Sequence, residues 1–260
     1  MSNIRQAFQN GKAFIPFITC GDPDLESTKR NVRAAVAAGA DLVELGIPFS
    51  DPTAEGPVIQ AANLRALSGG VTTDAVFQMV AELREELTTP LVFMTYANVV
   101  FSYGIEHFAA RAVEVGIDGI ILPDVPFEEK EEFAPAFRAA GIDFISMIAP
   151  TSMARIREIA AAAEGFLYVV SSLGVTGVRR EINTDLSGML ASVRQANPSL
   201  PAAIGFGIST PAQAKRMAAV ADGVIVGSAI VRIMAEKGRE ADEEIARYVR
   251  EMKTAANTFQ

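Results

Sequence analysis

Two glutamates, Glu44 and Glu55, are the residues of this sequence best placed to move protons. Glu44 lies within a short apolar segment, on the same face of a predicted strand as Leu42. An ionised carboxylate in a strand core costs on the order of several kcal/mol unless it is paired or neutralised. Gly46 and Pro48 end the strand, so Glu44 lies at its carboxyl end, and Glu55 follows in the loop. Paired carboxylates at such a position suit general acid–base chemistry; the alternative is a structural glutamate that answers an arginine or a backbone amide.

The single histidine, His107, narrows the chemistry that is available. An apolar stripe at Ile105, Phe108, Ala109 and Ala112 has helical spacing and leaves His107 off the core face. Histidine triads and multi-histidine metal sites are therefore excluded, and no metal site is expected. The reaction must use carboxylates, tyrosine or the backbone.

Charge and cysteine content limit the partners and the compartment. The net charge of −8 argues against a general nucleic-acid surface, so an anionic ligand must be held by local dipoles and amides. The lone Cys20 excludes an internal disulfide and fits a reducing compartment. Residues 1–11 lack the apolar centre of a signal peptide, and no segment has the length of a membrane span. We expect a cytoplasmic protein with neither a nucleic-acid nor a membrane partner.

Short apolar segments alternate with segments of helical periodicity along the whole chain. This alternation predicts parallel strands joined by right-handed helical crossovers, in an open doubly wound sheet or a closed barrel. Eight units in about 250 residues, with no linker, favour the barrel. We predict an α/β fold: a single (β/α)8 TIM-barrel domain over 1–260, with extra N-terminal and loop helices. The predicted strands lie near 13–19, 42–46, 91–96, 118–123, 143–148, 166–171, 202–206 and 223–227.

In such a barrel the site lies at the carboxyl ends of the strands, where two further clusters fall. The segment 171–180 contains Gly174 and Gly177 without apolar periodicity, which indicates a mobile lid or, alternatively, a plain surface loop. The segments 205–209 and 227–228 follow neighbouring strands. Their glycines suit a phosphate cradle of backbone N–H groups, although glycines also form tight strand-to-helix turns.

Several motifs together resemble the tryptophan synthase α subunit family. They are Pro-Phe-Ile-Thr-Cys-Gly-Asp-Pro at 16–23, Glu-Leu-Gly-Ile-Pro-Phe-Ser-Asp-Pro at 44–52, Pro-Asp-Val-Pro at 123–126, Gly-Val-Thr-Gly at 174–177 and Gly-Phe-Gly-Ile-Ser at 205–209. The resemblance implies a lyase that cleaves indole-3-glycerol phosphate to indole and glyceraldehyde 3-phosphate in L-tryptophan biosynthesis. It implies that protonation of indole C3 creates an electron sink before the carbon–carbon bond breaks as a retro-aldol.

The resemblance also implies roles for individual residues. Glu44 would deliver and remove the protons, and Glu55 would hold the indole N–H. The family position of Glu55 is usually aspartate, so Asp51 is a competing candidate for the second carboxylate. The indole pocket would contain Phe17, Ile59, Met94, Tyr96 and Phe206, with Tyr168 near Glu44 and Thr176 closing from the lid; core packing is the alternative for Phe17, Ile59, Met94 and Phe206. Phosphate would bind to Gly177, Gly207, Gly227 and Ser228.

The implied partner is the β subunit of an α2β2 complex, which carries pyridoxal phosphate and receives indole through a channel. The α subunit itself would need no cofactor. The loops 48–60 and 171–187 would face the partner, with Pro48, Asp51 and Pro52 at the interface. Three alternatives stay open: a stand-alone lyase, a related sugar-phosphate isomerase, and a catalytically silent regulatory subunit.

Overall fold

The fold is built on one parallel sheet. A computed structural model of the chain describes residues 2–150, 152–171 and 186–258. Nine strands in the described residues follow the order β5-β4-β3-β2-β1-β9-β8-β7-β6, and every pairing is parallel. The strands are β1 Ala13–Thr19, β2 Val43–Gly46, β3 Leu91–Met94, β4 Gly119–Ile121, β5 Asp143–Phe144, β6 Met147–Ile148, β7 Leu167–Val170, β8 Ala202–Gly205 and β9 Gly223–Val226.

The two ends of this sheet meet within one segment, 143–148, that the sequence predicts as a single strand. Its first half, β5, pairs with β4, and its second half, β6, pairs with β7. Between them the Ile145 N–H donates to the Ile120 carbonyl at 2.9 Å, and the Tyr168 N–H donates to the Ser146 carbonyl at 3.0 Å. This seam closes the sheet, so the predicted eight-unit TIM barrel is confirmed, with its fifth strand divided in two.

Helices cover the outside of the sheet, as the crossover rule requires. Short 3-10 helices precede β1 at Ile4–Phe8 and occur at Phe127–Glu132 and Gly238–Glu240. Additional helices, α2 and α4, lie in the loops after β2 and β3. The helices are α1 Leu25–Ala37, α2 Pro57–Ser68, α3 Thr73–Arg84, α4 Ala97–Tyr103, α5 Ile105–Glu114, α6 Ala134–Ala140, α7 Met153–Ala161, α8 Leu186–Ala196, α9 Pro211–Ala218, α10 Ser228–Lys237 and α11 Asp242–Ala256.

Alternate side chains of each strand enter two different cores, because both faces of the sheet are covered. In β1, Phe14 and Ile18 pack in the layer between sheet and helices, whereas Ile15 and Phe17 pack inside the barrel. Glu44 of β2 is in register with Phe17. The strand pairing therefore directs the Glu44 side chain into the barrel interior, on the same face as Leu42, as the sequence predicts.

No helix within the described ranges is long and apolar enough to cross a membrane. His107 lies on the exposed side of α5, where its ring stacks on Tyr103 with centroids 5.0 Å apart. This position agrees with the prediction that His107 lies off the core face.

Candidate active site

A cavity of about 500 Å³, partly open to solvent, lies at the carboxyl ends of the strands. It brings together ten residues that the sequence singles out, and it adds Ile208 and Ile225. The full lining consists of Phe17, Glu44, Glu55, Ile59, Met94, Tyr168, Phe206, Gly207, Ile208, Ile225, Gly227 and Ser228. Two further predicted residues, Thr176 and Gly177, lie outside the described residues.

Glu44 is an almost fully enclosed acid at this cavity. Its exposed fraction is 1 %, and its Oε2 has no hydrogen-bond partner in the described part of the chain. Burial, reinforced by the nearby charge of Glu55, raises the pKa of Glu44 to about 8. The alternative of a structural glutamate requires an arginine or an amide that binds the carboxylate. Oε2 of Glu44 has no such partner among the described residues. A carboxyl group that keeps its proton near neutral pH can act as a general acid.

Glu55 lies at the same cavity in a different polar environment. Its exposed fraction is 6 %, and its Oε2 accepts a hydrogen bond of 2.7 Å from the Asn63 side-chain amide. Burial raises the pKa of Glu55 to about 7, against the opposing effect of the Asn63 hydrogen bond. The two carboxyl groups thus differ in their hydrogen bonding, because only Glu55 accepts one from Asn63. This difference allows Glu44 to stay protonated while Glu55 is ionised.

Tyr96 supports the loop that carries Glu55 and does not line the cavity. The Ala54 N–H donates to the Tyr96 hydroxyl at 3.1 Å, and the Tyr96 ring stacks on Phe49 with centroids 5.2 Å apart. Within the loop, the Gln60 side-chain amide donates to the Glu55 carbonyl at 2.7 Å. The structure thus differs from the prediction of direct pocket contact for Tyr96, because its hydroxyl is directed to the loop backbone.

Two glycines at strand ends make room for the aromatic wall of the cavity. A Cβ on Gly46 would lie 2.5 Å from Cζ of Phe17, and a Cβ on Gly205 would lie 2.5 Å from the hydroxyl of Tyr168. These separations are shorter than any normal carbon contact, so both positions require glycine as long as the rings stay in place.

Gly227 and Ser228 of the cavity lining bring backbone N–H groups to the site. Helix α10 begins at Ser228 with Gly227 as its N-cap, and no side chain caps it. By contrast, the neighbouring α9 is closed by its own side chains, since Gln213 accepts from the N–H groups of Ser209 and Thr210 at 2.9 and 3.1 Å. The N-terminus of α10 is therefore the one suited to an anionic group, because the first N–H groups of a helix have no partner within it.

Phe206 and Gly207 also line the cavity. Both have positive φ angles, 72° for Phe206 and 79° for Gly207. A positive φ is uncommon for a bulky residue. The Ser171 hydroxyl donates to the Phe206 carbonyl at 2.6 Å and fixes this turn.

Comparison with known proteins identifies the family of this site. The model of the family described as "Tryptophan synthase alpha chain" matches residues 2–259. The chain belongs to the tryptophan synthase alpha chain family. A family relative from Lactiplantibacillus plantarum, named tryptophan synthase alpha chain, is 51% identical over 256 residues, covering 98% of this chain and 96% of the relative.

Solved structures agree with this membership. The crystal structure of tryptophan synthase subunit alpha from Legionella pneumophila matches with a TM-score of 0.86 and 36% identity, covering 100% of both chains. A structure of the tryptophan synthase α2β2 complex from Pyrococcus furiosus matches with a TM-score of 0.83 and 38% identity, covering 94% of this chain and 99% of that one.

Family membership confirms several predictions from the sequence. The resemblance, the barrel fold and the lyase activity toward indole-3-glycerol phosphate are confirmed. The family's alpha subunit needs no cofactor, since pyridoxal phosphate is carried by the beta subunit. Membership also sets aside the sugar-phosphate isomerase alternative.

The residues predicted to meet a partner differ in their accessibility. Asp51 is exposed and accepts a hydrogen bond of 2.5 Å from the Ser50 hydroxyl, and Pro52 is half-buried. Pro48 is buried within this chain. Asp51 does not line the cavity, whereas Glu55 does. The geometry thus favours Glu55 over Asp51 as the second carboxylate at the cavity.

Sequence reasoning missed Asn63 and Ile225 as parts of the site, and it placed the segments of Ser171 and Ile208 there without giving either residue a role. A signal for Asn63 was present: it lies in the buried stripe Ile59, Ala62, Asn63 and Ala66 of α2, and a polar residue in such a stripe needs a partner. Ile225 carries no comparable signal, because apolar strand residues are common throughout the chain.

Proposed function

We propose that Glu44 and Glu55 perform the family's cleavage of indole-3-glycerol phosphate by acid–base catalysis. The observation that carries the proposal is a pair of buried carboxyl groups at one cavity, with pKa values raised to about 8 and about 7. Protonated Glu44 can donate to indole C3, while ionised Glu55 can accept a hydrogen bond from the indole N–H.

In the proposed reaction Glu44 takes part in two proton transfers, first as an acid and then as a base. Donation from Glu44 to indole C3 places positive charge on the ring nitrogen, next to the Glu55 carboxylate. The Glu44 carboxylate then takes the proton of the glycerol hydroxyl, the carbon–carbon bond breaks, and its electrons return to the ring. Indole and the aldehyde glyceraldehyde 3-phosphate leave, and Glu44 is protonated again.

The cavity wall suits the two ends of this substrate. The apolar side chains of Phe17, Ile59 and Met94 are proposed to hold the indole ring, with Tyr168 and Phe206 beside them. Gly207, Gly227 and Ser228 are proposed to hold the phosphate at the N-terminus of α10. From the family resemblance we keep Thr176 as the lid residue and Gly177 as a phosphate ligand. We assign Tyr96 to support of the loop that carries Glu55.

A β subunit in an α2β2 complex is the proposed partner. The Pyrococcus furiosus relative forms such a complex. In this chain, the 48–52 segment presents exposed Asp51, and Phe49 of this segment stacks on Tyr96 at the start of α4. On the same helix Phe101 is 69% exposed.

The remaining assignments concern location and domain organisation. We propose a cytoplasmic location, supported by the lone, buried and unpaired Cys20 and by the family's biosynthetic role. The assignment of 1–260 to one domain stays a prediction.

Turnover of the isolated chain tests the catalytic proposal. Indole released from indole-3-glycerol phosphate is measured for the wild type, Glu44→Gln and Glu55→Gln. We expect Glu44→Gln to lower kcat by ~10²–10⁴-fold with KM little changed, because the amide cannot donate a proton in the same way. Near-normal turnover of Glu44→Gln would defeat the proposal. Absence of indole release by the wild type would contradict the catalytic roles of Glu44 and Glu55, and a rise in turnover on adding a β subunit would separate the α2β2 enzyme from a stand-alone lyase.

A further inference from the structure

We propose that Asn63 is a positioning residue, which orients the Glu55 carboxylate toward the ligand and keeps its charge available. The inference rests on the proposed function of Glu55. It adds to that function a specific residue of α2 that does not itself line the cavity.

The contact between the two residues is short and enclosed. Asn63 is 2% exposed and Glu55 is 6% exposed, and the Asn63 amide donates to Oε2 of Glu55 at 2.7 Å. A hydrogen bond to an ionised group in such surroundings is stronger than one between neutral groups. It holds the side-chain rotamer of Glu55 at the cavity.

The donor is an amide and carries no charge. Within residues 2–150, 152–171 and 186–258, Glu55 forms no ion pair with lysine or arginine. A cation at this position would neutralise the carboxylate, whereas an amide orients it and leaves its charge uncancelled. That is the property required of a group that faces positive charge developing on a ring nitrogen.

The helix that carries Asn63 is itself anchored. Glu55 lies just before α2, and Asn63 reaches back to it from two turns into the same helix. Two residues further along the helix, Arg65 donates two hydrogen bonds of 2.8 and 2.7 Å to the buried Asp22. Ile59 of this helix lines the cavity. Helix α2 therefore forms a fixed support on which the position of the carboxylate depends.

Asn63 also affects the protonation of Glu55. Its hydrogen bond lowers the pKa of Glu55, in opposition to burial. Removal of the donor leaves burial unopposed, so a larger fraction of Glu55 is protonated at neutral pH. A residue that only filled space would not have this effect.

The experiment combines Asn63→Leu, which keeps the side-chain size, with Asn63→Asp, which replaces the donor by an acid. Both are made in the wild type and in the Glu55→Gln background. The control is Asn31→Leu in α1, where another amide that is 2% exposed is removed away from the cavity. For each variant we measure kcat and KM for indole release across pH, together with the folded fraction.

We expect Asn63→Leu to lower kcat by roughly 10–100-fold, as for the loss of a hydrogen bond to a charged group. The acidic limb of its pH profile moves to higher pH, and it moves further for Asn63→Asp because a second acid opposes ionisation. In the Glu55→Gln background the Asn63 changes have little additional effect, since the residue acts through Glu55. Asn31→Leu keeps normal kcat per folded molecule.

Two kinds of result overturn the inference: the first comes from the Asn63 variants and the second from Glu55→Gln itself. Normal kcat and an unmoved acidic limb in Asn63→Asp and Asn63→Leu, or an equally large loss in the Glu55→Gln background, would leave Asn63 as a structural residue while the function of Glu44 and Glu55 stands. Wild-type turnover in Glu55→Gln itself would overturn both the inference and the proposed role of Glu55. The second result is read from Glu55→Gln alone, so the two failures are distinguishable.

Discussion

Glu44 lies directly opposite Phe17 in the register of β2 and β1, so the acid is held beside the aromatic wall of the cavity. This neighbour offers no hydrogen bond to the carboxylate, and Oε2 of Glu44 has no partner among the described residues. Apolar surroundings of this kind favour the protonated acid. The strand pairing that builds the barrel thus also determines the protonation of its central carboxyl group.

The activity should depend on pH with a narrow maximum. Glu55 becomes ionised as the pH rises through about 7, and Glu44 loses its proton as the pH rises through about 8. We expect kcat to rise through the first value and fall through the second, with apparent pKa values that belong to the coupled pair. The measurement is indole release between pH 5.5 and 9.5, with folding checked by circular dichroism. A flat profile over this range would contradict the assignment of acid and base.

The same acid should make the fold less stable as the pH rises. The pKa of Glu44 is raised from 4.5 to about 8 by folding, so below pH 4.5 both states are protonated and the group has no effect. Above pH 4.5 Glu44 loses its proton in the unfolded chain but keeps it in the folded chain. The free energy of unfolding therefore falls by about 4 kcal/mol by pH 8. We expect Glu44→Gln to lack this loss and to gain stability relative to the wild type between pH 5 and 8.

Urea unfolding at several pH values measures this difference. The matched control is Glu106→Gln, which changes an exposed glutamate of α5. Parallel stability curves for the wild type and Glu44→Gln from pH 4 to 8 would show that Glu44 is ionised without cost in the folded chain.

Two glycine-to-alanine changes should affect different properties: Gly227→Ala the KM, and Gly46→Ala the stability. In Gly227→Ala the added Cβ would lie at ordinary distances of 3.5 to 3.7 Å from Phe17 and Ile59, so stability should change little while the cavity is narrowed at the proposed phosphate site. We expect its KM to rise by about tenfold or more. In Gly46→Ala the Cβ would lie 2.5 Å from Phe17, and we expect a loss of about 1–3 kcal/mol in unfolding free energy. Steady-state kinetics and thermal unfolding of both variants are compared; unchanged KM in Gly227→Ala would argue against phosphate at α10.

Variants of Asp51 and Glu55 should affect different functions: Asp51→Asn the association with a β subunit, and Glu55→Gln the turnover. We expect Asp51→Asn, which changes an exposed side chain, to leave turnover of the isolated chain near normal and to weaken its association with a β subunit. Glu55→Gln should lower turnover of the isolated chain. Association is measured by titration with β subunit, and turnover by indole release. If Asp51→Asn does the greater harm to the isolated chain, the second carboxylate has been placed wrongly.

Much of the fold follows from local patterns. Each predicted strand coincides with an observed strand within a few residues, because short apolar segments between helical segments have few other uses. The division of 143–148 was not predictable, because it depends on which neighbour each half meets when the barrel closes. The C-terminal helix α11, with Ile245, Val249 and Met252 buried, follows directly from its amphipathic spacing.

The site was predictable to a lesser extent. Glu44 stands out because an acid in an apolar strand is costly, and the glycines of 205–209 and 227–228 stand out because their N–H groups suit a phosphate. The function of Tyr96 as a loop support was not visible, since its hydroxyl could face either the cavity or the backbone. Asn63 depends on a contact between a helix and the residue before it, which residue type alone does not specify.

The seam at 143–148 should lower the free energy of local opening of the barrel at this position. Here two short strands of two residues each, β5 and β6, carry the contacts that join the two sides of the ring. Fewer ladder bonds per joint mean a smaller free energy of local opening than at β1 and β9, where four residue pairs are in register. Amide protons of this segment should thus exchange with solvent deuterium sooner than those of β1. The seam is therefore expected to open before the pairing of β1 with β9.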